Sequence, residues 1–220
     1  MSIKERVKSD VEKIVAKGHQ VDQEVISFIK EDYTKTLDNV GKGMDTIKES
    51  TLAYLEGVEE GLKAAGHESG KLVNKTAEVL VEVSGNLGNN GVDAAGKIAV
   101  EARAALNTAL EKAKGSINSV EEKTKEQMKD ALAHLNKAGE IGKARLEGVG
   151  EGIKAYAVLK KNDLSDSARQ ALNRSADSSK ELIRKLAGST KAQSKELLRH
   201  SLEKVSGWLG KLADKVKPKA

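Results

Sequence analysis

The single proline is the feature that most limits what this 220-residue chain can fold into. It is Pro218, close to the C-terminal end, whereas twenty glycines are distributed through the sequence. Because proline interrupts helices most strongly, almost the whole chain is free to form long helices. Strands favour aromatic and β-branched residues, and aromatic residues make up only 2% of the sequence. The sequence therefore predicts an all-α protein, in which each interior glycine weakens its helix by about 1 kcal/mol relative to alanine.

The apolar residues recur with a period of eleven, in steps of four, four and three. Eleven residues over three turns is about 3.67 residues per turn, which is close to a straight helix and slightly right-handed when helices coil together. The pattern predicts long amphipathic helices in an elongated antiparallel hairpin or bundle. Small residues fill the stripe at Gly18, Gly66, Ala77, Gly88, Ala95 and Ser194, so we expect a shallow seam rather than a thick core. The stripe includes Ile3, Val7, Val11, Ile14, Val25, Ile29, Tyr33, Val40, Met44, Ile47, Leu55, Val58, Leu62, Leu106, Leu110, Ala113, Ile117, Ala168, Leu172, Ala176, Ser179, Ile183, Ala187 and Leu198.

Two similar segments lie about ninety residues apart in the chain. Residues 55–66 read LEGVEEGLKAAG and residues 146–157 read LEGVGEGIKAYA, so eight of twelve positions are identical. A second pair, ALNTALEKAKGSI from Ala105 and LLRHSLEKVSGWL from Leu197, has nearly the same offset. These matches indicate an internal duplication. We expect an N-terminal helical arm (1–30), two helical repeats (31–119 and 120–215) and a basic tail (216–220).

Each repeat is expected to be a pair of helices. The first break is predicted at residues 66–70 (GHESG), where glycine suits a helix C-cap and serine an N-cap. The second is predicted at residues 160–166 (KKNDLSD), with Asp163 or Ser165 as the N-cap. Residues 84–91 (SGNLGNNG) are compatible with a further turn, although the aligned residues of the second repeat have an ordinary helical pattern. The sequence leaves this point open.

The repeated segment contains two glycine pairs with four-residue spacing, and we identify them as candidate helix-packing residues: Gly57, Gly61, Gly148 and Gly152. This spacing removes side chains from one strip of a helix, so that another helix backbone can come close. Close packing within a water-soluble bundle is the favoured interpretation, because charged residues surround the glycines. One alternative is dimerisation in a membrane. Another is that the glycines weaken the helix, so that it folds only against a surface or partner.

The sequence contains no recognisable catalytic or metal-binding motif. The four histidines are far apart and lack a second ligand at helical spacing. Acidic residues often have a lysine three or four positions away, as Glu59 and Lys63 do, which predicts a solvated face rather than a paired-carboxylate site. Gly85, Gly88 and Gly91 lack the strand and the Lys-Ser/Thr of a phosphate-binding loop. We therefore expect a protein that is not an enzyme and has no cofactor or metal.

The charge balance and the absence of cysteine limit the partners and the compartment. The formal net charge is +5, with positive and negative residues interspersed, and no nucleic-acid recognition motif accompanies the lysines. A chain without cysteine fits a reducing compartment. The longest apolar run, residues 79–81, is too short to cross a bilayer, and the N-terminal residues lack a targeting pattern. We expect a cytoplasmic protein without a transmembrane segment or specific nucleic-acid binding.

The C-terminal region contains the candidate surface-binding residues. Trp208, Leu209, Leu212 and Val216 lie on one face of a predicted helix, and Lys211 and Lys215 flank it. An apolar face with flanking lysines is typical of a helix that lies on an anionic interface. The alternative is that Trp208 packs in a helical core.

Eleven-residue segments rich in Lys, Glu, Gly, Val and Ala carry a resemblance to known proteins. LEGVEEGLK, LEGVGEGIK and EEKTKEQMK (121–129) resemble the repeats of synucleins, exchangeable apolipoproteins and late-embryogenesis-abundant proteins. The length, the few aromatic residues and the lack of cysteine are similar to those of bacterial phasins, which coat polyester granules. The resemblance implies a non-enzymatic amphipathic protein that coats a lipid or polyester granule surface and self-associates. The alternative is a soluble helical scaffold or stress-protective protein that acts through self-association.

Overall fold

The computed structural model confirms the all-α prediction. It describes residues 1–39, 43–112 and 117–216, and leaves out part of the side chains between 99 and 127 and between 201 and 216. About 90% of the described residues are helical and none of them forms a strand. The helices pack against each other in a bundle. They are α1 (Ile3–Lys17), α2 (Val21–Asn39), α3 (Met44–Ala64), α4 (Gly70–Lys112), α5 (Ile117–Leu159) and α6 (Asp166–Val216).

The ends of α1 have clear local causes. The Ser2 hydroxyl accepts a hydrogen bond from the Glu5 amide, and the Glu5 carboxylate accepts one from the Ser2 amide, which forms a capping box. Gly18 ends the helix in the left-handed region, with φ at 72°. The expectation that Gly18 fills the apolar stripe was therefore wrong, because a residue with this backbone conformation cannot continue the helix.

Both predicted hairpin breaks are confirmed. α3 ends at Ala64 and α4 begins at Gly70, and Gly66 between them has a φ of 70°. The His67 amide donates to the Leu62 carbonyl across this turn at 2.8 Å, which satisfies an end carbonyl of α3. Gly66, like Gly18, thus terminates a helix instead of filling the stripe.

The second break separates α5 from α6. α5 ends at Leu159 and α6 begins at Asp166. Of the two residues proposed as the N-cap, Ser165 has this role, because its hydroxyl accepts from the Ala168 amide at 3.3 Å.

The structure decides the point that the sequence left open. α4 is continuous through residues 84–91, so the further turn is not formed. α4 ends at Lys112 and α5 begins at Ile117, and the expected stripe from Leu110 through Ala113 falls partly on residues outside the described part. Ala113 and Val40 lie outside the described residues. The expected N-terminal arm contains α1, and α2 continues beyond residue 30.

The chain divides into two compact units. Unit I comprises Met1–Asn89 and Ile141–Lys185, and unit II comprises Asn90–Glu140 and Leu186–Ala220 over the described residues. These units cut across the sequence repeats, because α4, α5 and α6 each contribute to both.

The core of unit I is larger than the expected shallow seam. Tyr33, Tyr54 and Tyr156 are fully buried, although the chain has few aromatic residues. They pack with branched aliphatic side chains from the helical segments of the unit, which include Val7, Val11, Val25, Ile29, Ile47, Leu55, Val58, Leu62, Leu80, Val149, Ile153 and Leu172. The expectation of a thin core was therefore wrong for this unit, because the few tyrosines are concentrated in it.

Unit II has its own cluster of buried apolar residues. Its cluster of buried apolar residues, among the side chains described, consists of Ala95, Ala131, Leu135 and Leu197. Gln193 Oε1 and Ser194 Oγ are buried in this unit without a hydrogen-bond partner. Buried polar atoms without a hydrogen-bond partner also occur among the described residues of unit I, at Asn74 Oδ1, Ser84 Oγ and Arg145 Nε.

Candidate functional site

The first glycine pair of the repeated segment lies at a direct contact between α3 and α1. A Cβ atom built on Gly57 would be 2.8 Å from the Lys4 carbonyl oxygen and 2.9 Å from Val7 Cβ. Gly61 faces Lys8 in the same way, with 2.8 Å between the built Cβ and the carbonyl oxygen. There is no space for a side chain at either position. The two helices run parallel at this contact, because residue numbers increase together along both.

The second glycine pair makes the equivalent contact between α5 and α3. A Cβ atom on Gly148 would be 2.7 Å from the Met44 carbonyl oxygen, and one on Gly152 would be 2.8 Å from that of Lys48. The β-branched side chains beside these carbonyls belong to Ile47 and Thr51. The repeated segment therefore carries the same docking surface twice, and α1, α3 and α5 lie side by side in unit I.

A third glycine contact in this region was not identified from the sequence. Gly150 occupies the repeat position where the first segment has Glu59. A Cβ atom on Gly150 would collide with the Ser179 hydroxyl and would lie 3.4 Å from the Ala176 carbonyl oxygen, both in α6. The segment of α5 thus has glycines on two faces, one against α3 and one against α6.

Glu59 is buried, and the expectation that it lies on a solvated face was wrong. Its residue exposure is 3%, because Tyr156 of α5 covers it and donates to its carboxylate at 2.8 Å. Lys63 and Lys160 contact the same carboxylate at 2.5 and 3.0 Å. Burial disfavours the charged form of this carboxyl, but the three hydrogen bonds outweigh it and hold its pKa below the usual 4.5.

A second polar cluster joins α1, α2 and α3. Asp32 accepts from Arg6 and from the Tyr54 hydroxyl, each at 2.5 Å, and Tyr54 also contacts the Thr36 hydroxyl at 2.8 Å. The rings of Tyr33 and Tyr54 pack edge to face with centroids 5.0 Å apart. Burial raises the pKa of Tyr33 to about 12. These tyrosines therefore stay neutral at physiological pH and act as hydrogen-bonding core residues.

The exposed apolar residues of α6 in unit II define a candidate binding surface. Leu202 is 65% exposed and Leu198 is 38% exposed, whereas the adjacent Leu197 is 2% exposed and packs in the unit's core. The expectation that Leu198 continues the buried stripe was therefore wrong. Leu198 and Leu202 are one turn apart, so they lie on the same side of the helix.

The C-terminal candidate residues continue this exposed side in the helical register. With 3.6 residues per turn, the six positions listed below fall within an arc of about 80° around the α6 axis. We call this set the α6 stripe: Leu198, Leu202, Val205, Leu209, Leu212 and Val216. Position 208, occupied by Trp208, falls about 40° outside the arc and about 20° from the line of Leu197. The backbone of α6 extends to Val216, but the side chains of Trp208, Leu209, Leu212, Val216, Lys211 and Lys215 lie outside the described part.

Charged positions are distributed unevenly around the α6 stripe. Lys195, Arg199 and Lys215 fall about 60–100° from the centre of the stripe and Lys204 and Lys211 about 120–140°, whereas Glu196, Glu203 and Asp214 fall about 140–160° from it. Lys195 and Arg199 are exposed. From Lys191 onwards the sequence has eight lysine and arginine residues against three acidic ones. This formal charge of +5 equals that of the whole chain.

The structure provides no other candidate chemistry in the part of the chain that it describes. No group of metal-ligating side chains there could hold an ion. None of the described helices has a segment long and apolar enough to cross a membrane. The comparisons with protein-family models, curated proteins and solved structures found no significant match for this chain. The proposed function therefore rests on the geometry and the charge pattern of the chain itself.

Proposed function

We propose that this is a non-enzymatic amphipathic protein that associates with the surface of a hydrophobic granule or membrane. The observation that carries the proposal is the exposure of Leu198 and Leu202 in α6, at the start of a stripe whose later positions are also apolar. Contiguous exposed apolar residues on a soluble protein commonly mark a binding surface. A helix with such a stripe and flanking lysines suits a lipid–water or polymer–water interface.

The two units have different parts in this proposal. Unit I is held by glycine contacts at backbone distance and by a core with three buried tyrosines, so opening it would expose a large apolar area. In unit II, Leu198 and Leu202 are already exposed, so binding through them does not require unit I to open. We infer that unit I stays folded while α6 in unit II binds the surface. This differs from a coat in which all helices open.

We further propose that the protein coats the surface as phasins do and that it is cytoplasmic. These proposals are supported by the eleven-residue periodicity and by the absence of cysteine. Self-association of a soluble scaffold is the competing function, and the same exposed leucines would serve it. Flotation with vesicles or particles distinguishes binding to a surface from pairing with a second copy.

Flotation with phospholipid vesicles and with polyester particles tests the proposal. Trp208 is the only tryptophan, so its emission reports on the C-terminal part of α6. We expect the wild type to float with at least one of the two surfaces and its emission to shift to the blue. The variant Leu198→Ser with Leu202→Ser should lose flotation while its circular dichroism stays unchanged, since both side chains are exposed.

A matched control uses two exposed apolar residues of unit I. Val158 is 74% and Leu159 is 58% exposed, so Val158→Ser with Leu159→Ser removes similar apolar surface outside α6. This control variant should float like the wild type. Equal loss of flotation in both variants would contradict binding through α6. Absence of flotation with either surface, together with a concentration-dependent dimer that Leu202→Ser dissociates, would favour the scaffold function instead.

A further inference from the structure

We propose that the surface bound by the α6 stripe is an anionic lipid bilayer, rather than an uncharged polymer or a second copy of the chain. This inference rests on the proposed function, because it specifies the surface that the same residues bind. The apolar positions alone do not distinguish these occupants, but the charged residues around them do.

The basic positions of α6 lie on average closer to the apolar stripe than the acidic positions do, which favours an anionic surface. A helix lying on a bilayer places its apolar stripe in the acyl boundary and the flanking positions at the level of the headgroups. Lys195 and Arg199 flank the stripe on one side, and positions 204, 211 and 215 on the other. The three acidic positions lie on the side that would face water, where repulsion from anionic headgroups is weakest, and position 211 borders this side.

The distribution of charge along the chain points to the same occupant. Residues 1–190 have equal numbers of basic and acidic residues, so the formal charge of +5 belongs to the segment from Lys191 onwards. An uncharged polyester surface gains nothing from this concentration of charge. A second copy would bring the same +5 to the contact and be repelled. Anionic lipid attracts it, and each lysine close to such a membrane strengthens binding by about fivefold.

The test compares the full-length chain on vesicles of phosphatidylcholine alone, on vesicles of equal parts phosphatidylcholine and phosphatidylglycerol, and on polyester particles. We expect at least tenfold stronger partitioning to the anionic vesicles, and binding should weaken as salt is added, since exposed charges are screened over about 8 Å at physiological ionic strength. Lys195→Gln with Lys215→Gln, the two lysines closest to the stripe, should weaken binding to the anionic vesicles by about 20–30-fold.

A control with the same loss of charge uses two exposed lysines of unit I. Lys71→Gln with Lys161→Gln should bind almost as strongly as the wild type, because these residues lie outside α6. Equal binding of the wild type to neutral vesicles, anionic vesicles and polyester would overturn this inference while leaving the proposed function intact. Equal weakening by the two lysine pairs would also overturn it. Binding to none of the three surfaces would overturn the proposed function itself.

Discussion

Gly57 packs directly on the backbone of Lys4, and a Cβ atom on the glycine would lie 2.8 Å from the lysine's carbonyl oxygen. A backbone atom cannot move aside as the end of a flexible side chain can. α1 and α3 therefore touch at a distance that only glycine allows at this position.

Replacing Gly57 and Gly61 with alanine should destabilise unit I. Each new methyl group would collide with a carbonyl oxygen of α1 and with a valine, so α1 must shift. Overpacking of this kind costs about 1–3 kcal/mol, which exceeds the gain in helix propensity of about 1 kcal/mol per alanine. Urea unfolding followed by circular dichroism measures the change in the free energy of unfolding.

Gly188→Ala is the matched control for this change. Gly188 lies within α6, and nothing is within 4 Å of a Cβ atom built on it. This variant should therefore be more stable than the wild type by up to about 1 kcal/mol. If Gly57→Ala with Gly61→Ala raised helicity and stability in the same way, close packing would be contradicted. The glycines would then weaken α3 so that it folds only against a surface or partner.

Glu59→Gln should destabilise unit I at neutral pH and much less in acid. Its carboxylate accepts from Tyr156 and contacts two lysines, and its pKa is lowered relative to 4.5 in the folded state. A lowered folded pKa stabilises the protein above the unfolded pKa, and this contribution disappears as the pH falls through the folded pKa. Urea unfolding of wild type and variant at several pH values between about 3 and 7 measures this contribution to the free energy of unfolding.

The change of this difference with pH shows whether the Glu59 carboxylate stabilises the folded protein. The difference in the free energy of unfolding between wild type and Glu59→Gln should be constant near neutrality and shrink below about pH 4.5. A difference that grew in acid would mean that Glu59 is destabilised by burial in the folded state. Glu60→Gln is the control, since Glu60 is the neighbouring, partly exposed residue that pairs with Lys4 at the surface.

Tyr54→Phe should destabilise the protein more than Tyr33→Phe. The Tyr54 hydroxyl donates to the Asp32 carboxylate, and hydrogen bonds to charged groups contribute about 1.5–3 kcal/mol. Tyr33 contacts the Thr51 hydroxyl, which also donates to the Ile47 carbonyl, so its loss should cost about 0.5–1.5 kcal/mol. Thermal and urea unfolding of the two variants provide the test. The reverse order would contradict the assigned roles.

The helices and their hairpin breaks could be predicted from the sequence because their causes are local. A chain with proline only at position 218 has few interruptions, and Gly66 and Ser165 are helix-capping residue types at the ends of apolar stripes. The glycine pairs could also be recognised, because their spacing is itself a helical pattern. Their partners, Lys4 and Met44, belong to other helices and could not be found this way.

The errors concern residues whose environment depends on a distant element. Glu59 has a lysine four positions away, as a surface residue would, and only Tyr156 of α5 makes it buried. Leu198 follows the eleven-residue stripe, but eleven residues turn a 3.6-residue helix about 20° beyond three full turns. From Ala176 to Leu198 the stripe therefore moves about 40° around α6, away from the side that Leu197 buries. Sequence spacing alone does not indicate where the core ends.

Hydrogen exchange with and without anionic vesicles most directly tests the central claim, that α6 binds a surface while unit I stays folded. With vesicles of phosphatidylcholine and phosphatidylglycerol, amide exchange should slow in residues 198–216 and stay unchanged in residues 54–62 and 149–157, where the glycine contacts hold unit I. Unchanged exchange in residues 198–216 would contradict binding through α6. Faster exchange in residues 54–62 would show that unit I opens on the surface, which this account excludes.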